Sequence, residues 1–411
     1  MAVGTDGMTV FHPNAGEEPA LRGLSDEARL ATLPGVDGVG ESVVRPRPAS
    51  AWTRIVPDGR ATLELALFAL PALLAPLLLF KYLAGTYHER PITLDGRYYP
   101  DGGFLFDLHV MWKAGHDIVL GHSPYPFVYP APAAVLMVPF GALPWKVAVV
   151  AFALAVYATA VAALRLVGVR DWRCYGAALG SLPSFTAVTA GTLSWPLAFG
   201  AAAAWRYRER RWVVAASIVG VVVTRRFVWP LFLWLVATRR LRTAVTTAAL
   251  GLVVVVGSWA VIGFDGLLDY PHRLGRTAGL EQTKSFSVFS LMRLLGAGSR
   301  EAHVALAALT LVAVAAIFLA ARGEDGDRRA FACAVGAGLL LSPIVWPHYL
   351  VLGFIVLALY QPRLGAAWIV PVFLWVLPWQ PNRVSSLLTA FAVILVAGTL
   401  AVRRELPARR A

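Results

Sequence analysis

Several apolar runs in this chain are too long for the core of a water-soluble domain. From Leu63 to Leu83 the sequence reads LELALFALPALLAPLLLFKYL, and comparable runs cover about 145–168, 243–262, 302–321 and 384–402. About 20 apolar residues in a helix rise roughly 30 Å, the depth of a bilayer's hydrocarbon layer. No water is present there to pair with backbone N–H and C=O groups, so a spanning run must satisfy them internally as a helix. Of all residues 58% are hydrophobic and 15% charged, against about a quarter charged in soluble domains. The expected class is an all-α polytopic membrane protein.

The charges show how the runs are threaded. Arginines gather in short connections: RYRERR at 206–211, TRRLR at 238–242, RGEDGDRR at 322–329 and Arg403-Arg404. Short cytoplasmic loops collect Arg and Lys, so these connections are expected inside. Counting short apolar pieces between them gives roughly 12 transmembrane segments with both ends inside. One pair meets at Gly191, a second is broken at Arg225-Arg226 and Pro230, and a third meets at Trp346-Pro347-His348. The expected organisation is a disordered cytoplasmic tail over 1–60, a transmembrane domain over 61–402 and a basic cytoplasmic tail over 403–411. External loops are expected at 84–144 and 263–300. The net charge of +13 follows from this loop bias. With no basic-aromatic binding module visible, nucleic acid is not an expected partner. No P-loop or HExxH string occurs, and Cys174 and Cys333 have no ligand partners at metal-site spacing. No cofactor or metal is expected.

Ionisable residues cluster in the first external loop, in FDLHVMWKAGHDIVLGHSPY at 106–125. Helical spacing puts His109, Trp112, Lys113 and His116 on one face and Val110, Met111, Ala114 and Ile118 on another. That pattern predicts an amphipathic helix lying at the outer membrane surface. Asp107, at its start, reads either as a cap on backbone N–H groups or as a general base. Arg225 and Arg226 fall at membrane depth, where cations are costly unless they are paired or face a cavity. They either snorkel to headgroups or bind a phosphate. His348, at an external helix junction, reads as a hydrogen-bonded structural residue or as part of a pocket.

Four strings, in order, resemble glycosyltransferase family 87, the polyprenyl-phosphate-mannose-dependent mannosyltransferases of the GT-C superfamily. They are DLHVMWKAG at 107–115, GHSPY with YPAPAA at 121–134, RRFVWPLFLWLVATRR at 225–240 and SPIVWPH at 342–348. Three departures stand out. Met111 occupies a usually aromatic place, Arg225 a usual Lys, and GTLSW at 191–195 the place of a G-Q-x-N string. The resemblance implies a GT-C bundle with external loop helices and a polyprenyl-phosphate-linked sugar donor, the sugar being a hexose, mannose by the family's usage. It also implies a lipid or glycan acceptor, and an inverting single displacement at the external face of the plasma membrane. Asp107 would be the catalytic base. His109, Lys113, Tyr125, Tyr129, Arg225, Arg226 and His348 would bind substrate. The competing class is a non-enzymatic transporter or flippase of a lipid-linked sugar.

Overall fold

The computed structural model describes residues 59–87, 92–94, 97–99, 103–376 and 383–403, all within one unit that spans 57–411. The tail expected over 1–60 lies almost wholly outside these residues, as does the C-terminal tail beyond Arg403.

Helix α1 (Gly59–Leu83) opens the bundle. The first loop then holds a small antiparallel hairpin of β1 (Ile92–Leu94) and β2 (Arg97–Tyr99), with Ile92 opposite Tyr99. Helix α2 (Phe106–Val119) follows, with two short helices, α3 (Ala131–Leu136) and α4 (Val138–Gly141), where the proline-rich string permits no long one. Next come α5 (Trp145–Leu166), α6 (Trp172–Leu179), α7 (Leu182–Thr189) and α8 (Ser194–Arg206). The chain bends by 119° between α7 and α8. Helices α9 (Arg211–Thr224) and α10 (Pro230–Ala237) are separated by a break at Arg225, and α11 (Leu241–Val261) runs on from them. The second loop carries α12 (Tyr270–Glu281) and α13 (Val288–Leu294). The last helices are α14 (Ser299–Ala320), α15 (Gly326–Leu341), α16 (Val351–Tyr360), α17 (Ala366–Ile369) and α18 (Val384–Arg403).

The expected segments fall on helix, and length and composition support fewer crossings than the twelve expected. Among the described residues five helices are long and apolar enough to cross a membrane, or six if the bent pair is one span. The rest are short because Gly, Pro and Arg interrupt them. The α9–α10 pair leaves the arginine-rich end and comes back to it, since Arg240, just after α10, meets Glu209, just before α9, at 3.2 Å.

A belt of contacts gathers the charged connections at one end of the bundle. Asp327 is paired with both Arg240 (2.6 Å) and Arg208 (3.0 Å) and accepts from Trp234 Nε1. Arg328 lies over the Tyr360 ring, and Gln361 Nε2 donates to Leu400 O. Leu364 N donates to Asp171, and Arg173, which pairs with Asp171, reaches Glu64 on α1. At the opposite end Leu105 N and Asp107 N donate to Thr189 O and Ala190 O, and Phe286 N to Val345 O.

Small residues let the helices approach closely, as packing without a hydrophobic driving force between helices requires. A Cβ on Gly176 would stand 2.5 Å from Phe68 O, and one on Gly141 would stand 2.3 Å from the Gly115 carbonyl carbon. This last contact seats α2 on α4. Leu108, Met111 and Ala114 are buried in the protein's own core. The expectation of a helix lying in the membrane surface is therefore corrected: its apolar side faces protein, not lipid.

Cysteines placed at Lys113 and Arg210, both exposed, should react with an impermeant thiol reagent from opposite sides of the membrane. Labelling of both from one side would overturn the two-ended arrangement.

Candidate active site

Asp107 is the second residue of α2, but it caps nothing. The residue before the helix, Leu105, sits in the left-handed region at φ 54°, with no side-chain cap. The two backbone bonds to Thr189 and Ala190 tie this turn to the end of α7. Gly191 makes the seat possible, since its φ is +73° and a Cβ there would stand 2.4 Å from Leu108 Cβ. Alanine would be strained on both counts.

Held this way, the Asp107 carboxylate points away from its own helix. The Tyr129 hydroxyl donates to Asp107 Oδ1 at 3.1 Å, and an Arg225 terminal nitrogen lies 3.5 Å from Oδ2. The side chains of Asp107 and Arg225 are 20% and 11% exposed, so this is a mostly enclosed pair rather than a surface one. Burial raises the Asp107 carboxyl above the ordinary carboxylate range, while the Arg225 charge and the Tyr129 hydrogen bond pull it down without cancelling the rise. The same burial pushes the Tyr129 phenol upward, so it stays a neutral donor.

Arg225 stands in the break between α9 and α10. Its guanidinium donates to Tyr129 Oη at 3.1 Å and to Tyr349 Oη at 3.0 Å, and lies 4.4 Å from the Tyr129 ring centroid. The snorkelling alternative fails, because this side chain is fixed inside the bundle by three aromatic and acidic partners. Tyr349 stacks on Phe227 at 4.6 Å. Beside it, His348 is buried, and its Nε2 makes no hydrogen bond among the described residues. The site therefore joins the first loop, the break in the α9–α10 pair and the junction before α16.

The other expected residues divide. Tyr125 is a neighbour: its hydroxyl donates to Tyr129 O, and its ring stacks on Trp259 at 5.3 Å. Arg226 lies over Tyr270 at 5.7 Å, in the loop after α11, and no described contact links it to Asp107. His109 packs its ring on Trp145 at 5.0 Å. Lys113, half-exposed, pairs with Asp117 at 2.9 Å. Neither of these two has a described contact with the cluster, since they sit on a different side of α2 from Asp107. Tyr349 is the functional candidate that sequence reasoning passed over, although it directly follows His348.

The family model of glycosyltransferase family 87 matches residues 127–343. The chain belongs to glycosyltransferase family 87. Among curated proteins it is 28% identical to a polyprenol-phosphate-mannose-dependent α-(1-2)-phosphatidylinositol pentamannoside mannosyltransferase of Mycobacterium tuberculosis, over 85% of this chain and 73% of the relative. It is 26% identical to the protein of the same description in Mycolicibacterium smegmatis, over 68% of this chain and 70% of the relative. No solved structure matches. As a family 87 member the protein is a membrane glycosyltransferase, and the transporter alternative falls away.

Tyr129→Phe removes a hydrogen bond that favours the ionised carboxylate, so Asp107 should hold its proton to higher pH. A carboxylate must be ionised to act as a base, so if Asp107 has that role the acidic limb of the kcat/KM profile should move to higher pH. An unmoved limb, or one moved to lower pH, would contradict the pairing. Gly191→Ala should destabilise the protein by about 1–3 kcal/mol through strain and overpacking, visible as a lower midpoint of thermal unfolding in detergent.

Proposed function

We propose that this glycosyltransferase moves a mannosyl group from a polyprenyl-phosphate donor to a lipid-linked or glycan acceptor by an inverting single displacement. The observation that carries the reading is the enclosed Asp107–Tyr129–Arg225–Tyr349 cluster, in which a carboxylate of raised proton affinity faces a guanidinium at a helix break. The donor class follows the printed names of both relatives, and a mannosylated glycolipid is the acceptor class those names favour.

The chemistry needs two functions within a few ångströms of one another. An acceptor hydroxyl becomes a competent nucleophile as its proton passes to a carboxylate, a role for Asp107. Its oxygen then bonds to the anomeric carbon on the face opposite the phosphate while the carbon–phosphate oxygen bond breaks. Negative charge gathers on the departing polyprenyl phosphate, where a fixed cation helps most. Arg225 fits that role. Its planar fork presents several donors, and Tyr129 and Tyr349 hold it in place without neutralising it. A phosphate bound to Arg225 would also draw the cation from Asp107, leaving the carboxylate better able to accept a proton. The unpartnered Nε2 of His348 is a further donor or acceptor for the substrates. Among the described residues the cluster contains one carboxylate, which suits a single displacement rather than a two-step one.

Sidedness follows from charge. The belt around Asp327 is rich in arginine and is read as cytoplasmic, so the cluster at the opposite end faces outward. It is reached by a donor lying in the outer leaflet of the plasma membrane.

Asp107→Asn should fold normally and lose at least about a hundredfold in transfer from labelled polyprenyl-phosphate-mannose, the usual scale for a lost general base. Normal turnover in the folded variant would remove Asp107 from the chemistry. Arg225→Gln should lose about tenfold or more in kcat/KM for the donor, while Arg225→Lys retains much of it. Arg226→Gln should leave donor kinetics nearly unchanged, because its guanidinium is engaged at Tyr270. A larger loss at Arg226 than at Arg225 would exchange their roles.

A further inference from the structure

Two arginines beside the cluster, Arg226 and Arg273, have no part in the mechanism above. Arg273 lies on α12, three residues after Tyr270, so the two side chains share a face of that helix. It is the inward face: Tyr270, Arg273, Leu274 and Thr277 are at least partly buried, while His272, Gly275 and Arg276 on the other side are exposed. Arg226 comes to the same ring from the break after α9, its guanidinium carbon 5.7 Å from the Tyr270 centroid. Tyr270 meets the Tyr125 ring edge-on at 6.2 Å. Burial raises the Tyr125 phenol, and the Arg273 charge opposes the rise. Burial likewise raises the Tyr270 phenol against the pull of Arg226 and Arg225. Two guanidiniums therefore flank one pair of touching tyrosines.

Neither cation is neutralised. Among the described residues no carboxylate stands at ion-pair distance from Arg226 or Arg273. Asp269 precedes Arg273 by four residues, a spacing that commonly pairs along a helix, yet the two form no ion pair. The Arg273 Nε is instead buried and makes no hydrogen bond among the described residues. A buried cationic donor without an acceptor is costly, and a phosphate oxygen would satisfy it. Between α11 and α12 the turn leaves Phe264, Leu267 and Leu268 exposed, directly after a helix long and apolar enough to cross a membrane. Uncompensated cations and exposed apolar side chains thus occur together, which suits an anion with a hydrocarbon anchor.

We propose that Arg226 and Arg273 bind the phosphate of a phospholipid-anchored sugar acceptor. This rests on the function given above, in which Arg225 holds the single phosphate of the donor, so a second anion site belongs to the second substrate. Tyr129, Tyr125 and Tyr270 lie in succession between Asp107 and these cations. An acceptor that reaches both must carry sugar between its phosphate and its attacking hydroxyl. An ordinary anionic phospholipid does not.

Arg226→Gln and Arg273→Gln should each weaken binding of a mannosylated phosphatidylinositol about tenfold, read from its saturable effect on thermal unfolding of the purified protein in detergent. The response to an alkyl mannoside, which has no phosphate, should be the same in all three proteins. Arg273→Lys should restore most of the glycolipid binding, and it carries the test if Arg273→Gln does not fold. In turnover the acceptor KM should rise in both Gln variants, while KM for polyprenyl-phosphate-mannose at saturating acceptor stays unchanged. No saturable glycolipid binding, binding indifferent to both arginines, or equally tight arginine-dependent binding of phosphatidylglycerol would overturn the proposal. Arginine-dependent glycolipid binding by a protein that transfers no mannose would keep this site and remove the transferase chemistry. Mannose transfer with glycolipid binding indifferent to both arginines would do the reverse.

Discussion

A guanidinium inside an apolar bundle governs how the rest of this protein is arranged. Arg225 interrupts a segment that would otherwise run on as helix from Arg211, and about 21 Å of helix separates it from the arginine-rich end. A cation there must be paired or hydrogen-bonded. Its partners come from far along the chain: Asp107 and Tyr129 from the first loop, Tyr349 from the junction before α16. Satisfying one charge therefore pins three distant segments together, and those segments carry the candidate chemistry.

The arrangement is held from the other end as well. The ion pairs of Asp327 with Arg208 and Arg240 close the base of the short α9–α10 pair, so its tip is presented at a fixed height. The small-residue contacts complete the frame. Gly191 lets α2 rest on the end of α7, and Gly115 with Gly141 lets it rest on α4. The first loop is thus part of the bundle's packing. Its helix contributes Leu108 and Met111 to the core, and that burial is also what raises the proton affinity of Asp107.

Much of this was legible beforehand because hydrophobic run length and arginine placement report directly on the solvent. The bilayer requires long apolar helices, and the loop charges record which connections share an end. The broken segments were legible too, since Gly191, Pro230 and the Arg225-Arg226 pair conflict with continuous helix at those places. Site residues were readable where a residue's type was costly in its surroundings, as for Arg225. Spacing put His109 and Lys113 on one face of α2 but could not say what covers that face. In the structure Trp145 covers part of it and Asp107 faces elsewhere.

The sequence by itself determined that this is a helical membrane protein with its arginine loops at one end, because hydrocarbon and charge act on each residue whatever its distant neighbours. The matched motifs also marked Asp107, Arg225 and His348 as candidates. Only the tertiary structure decided whether Asp107 caps its helix or faces a cation, which of two adjacent arginines joins it, and that Tyr349 completes the cluster. Those outcomes depend on the direction each side chain takes from its backbone and on contacts between residues as much as 124 positions apart, which composition and spacing along a chain do not encode.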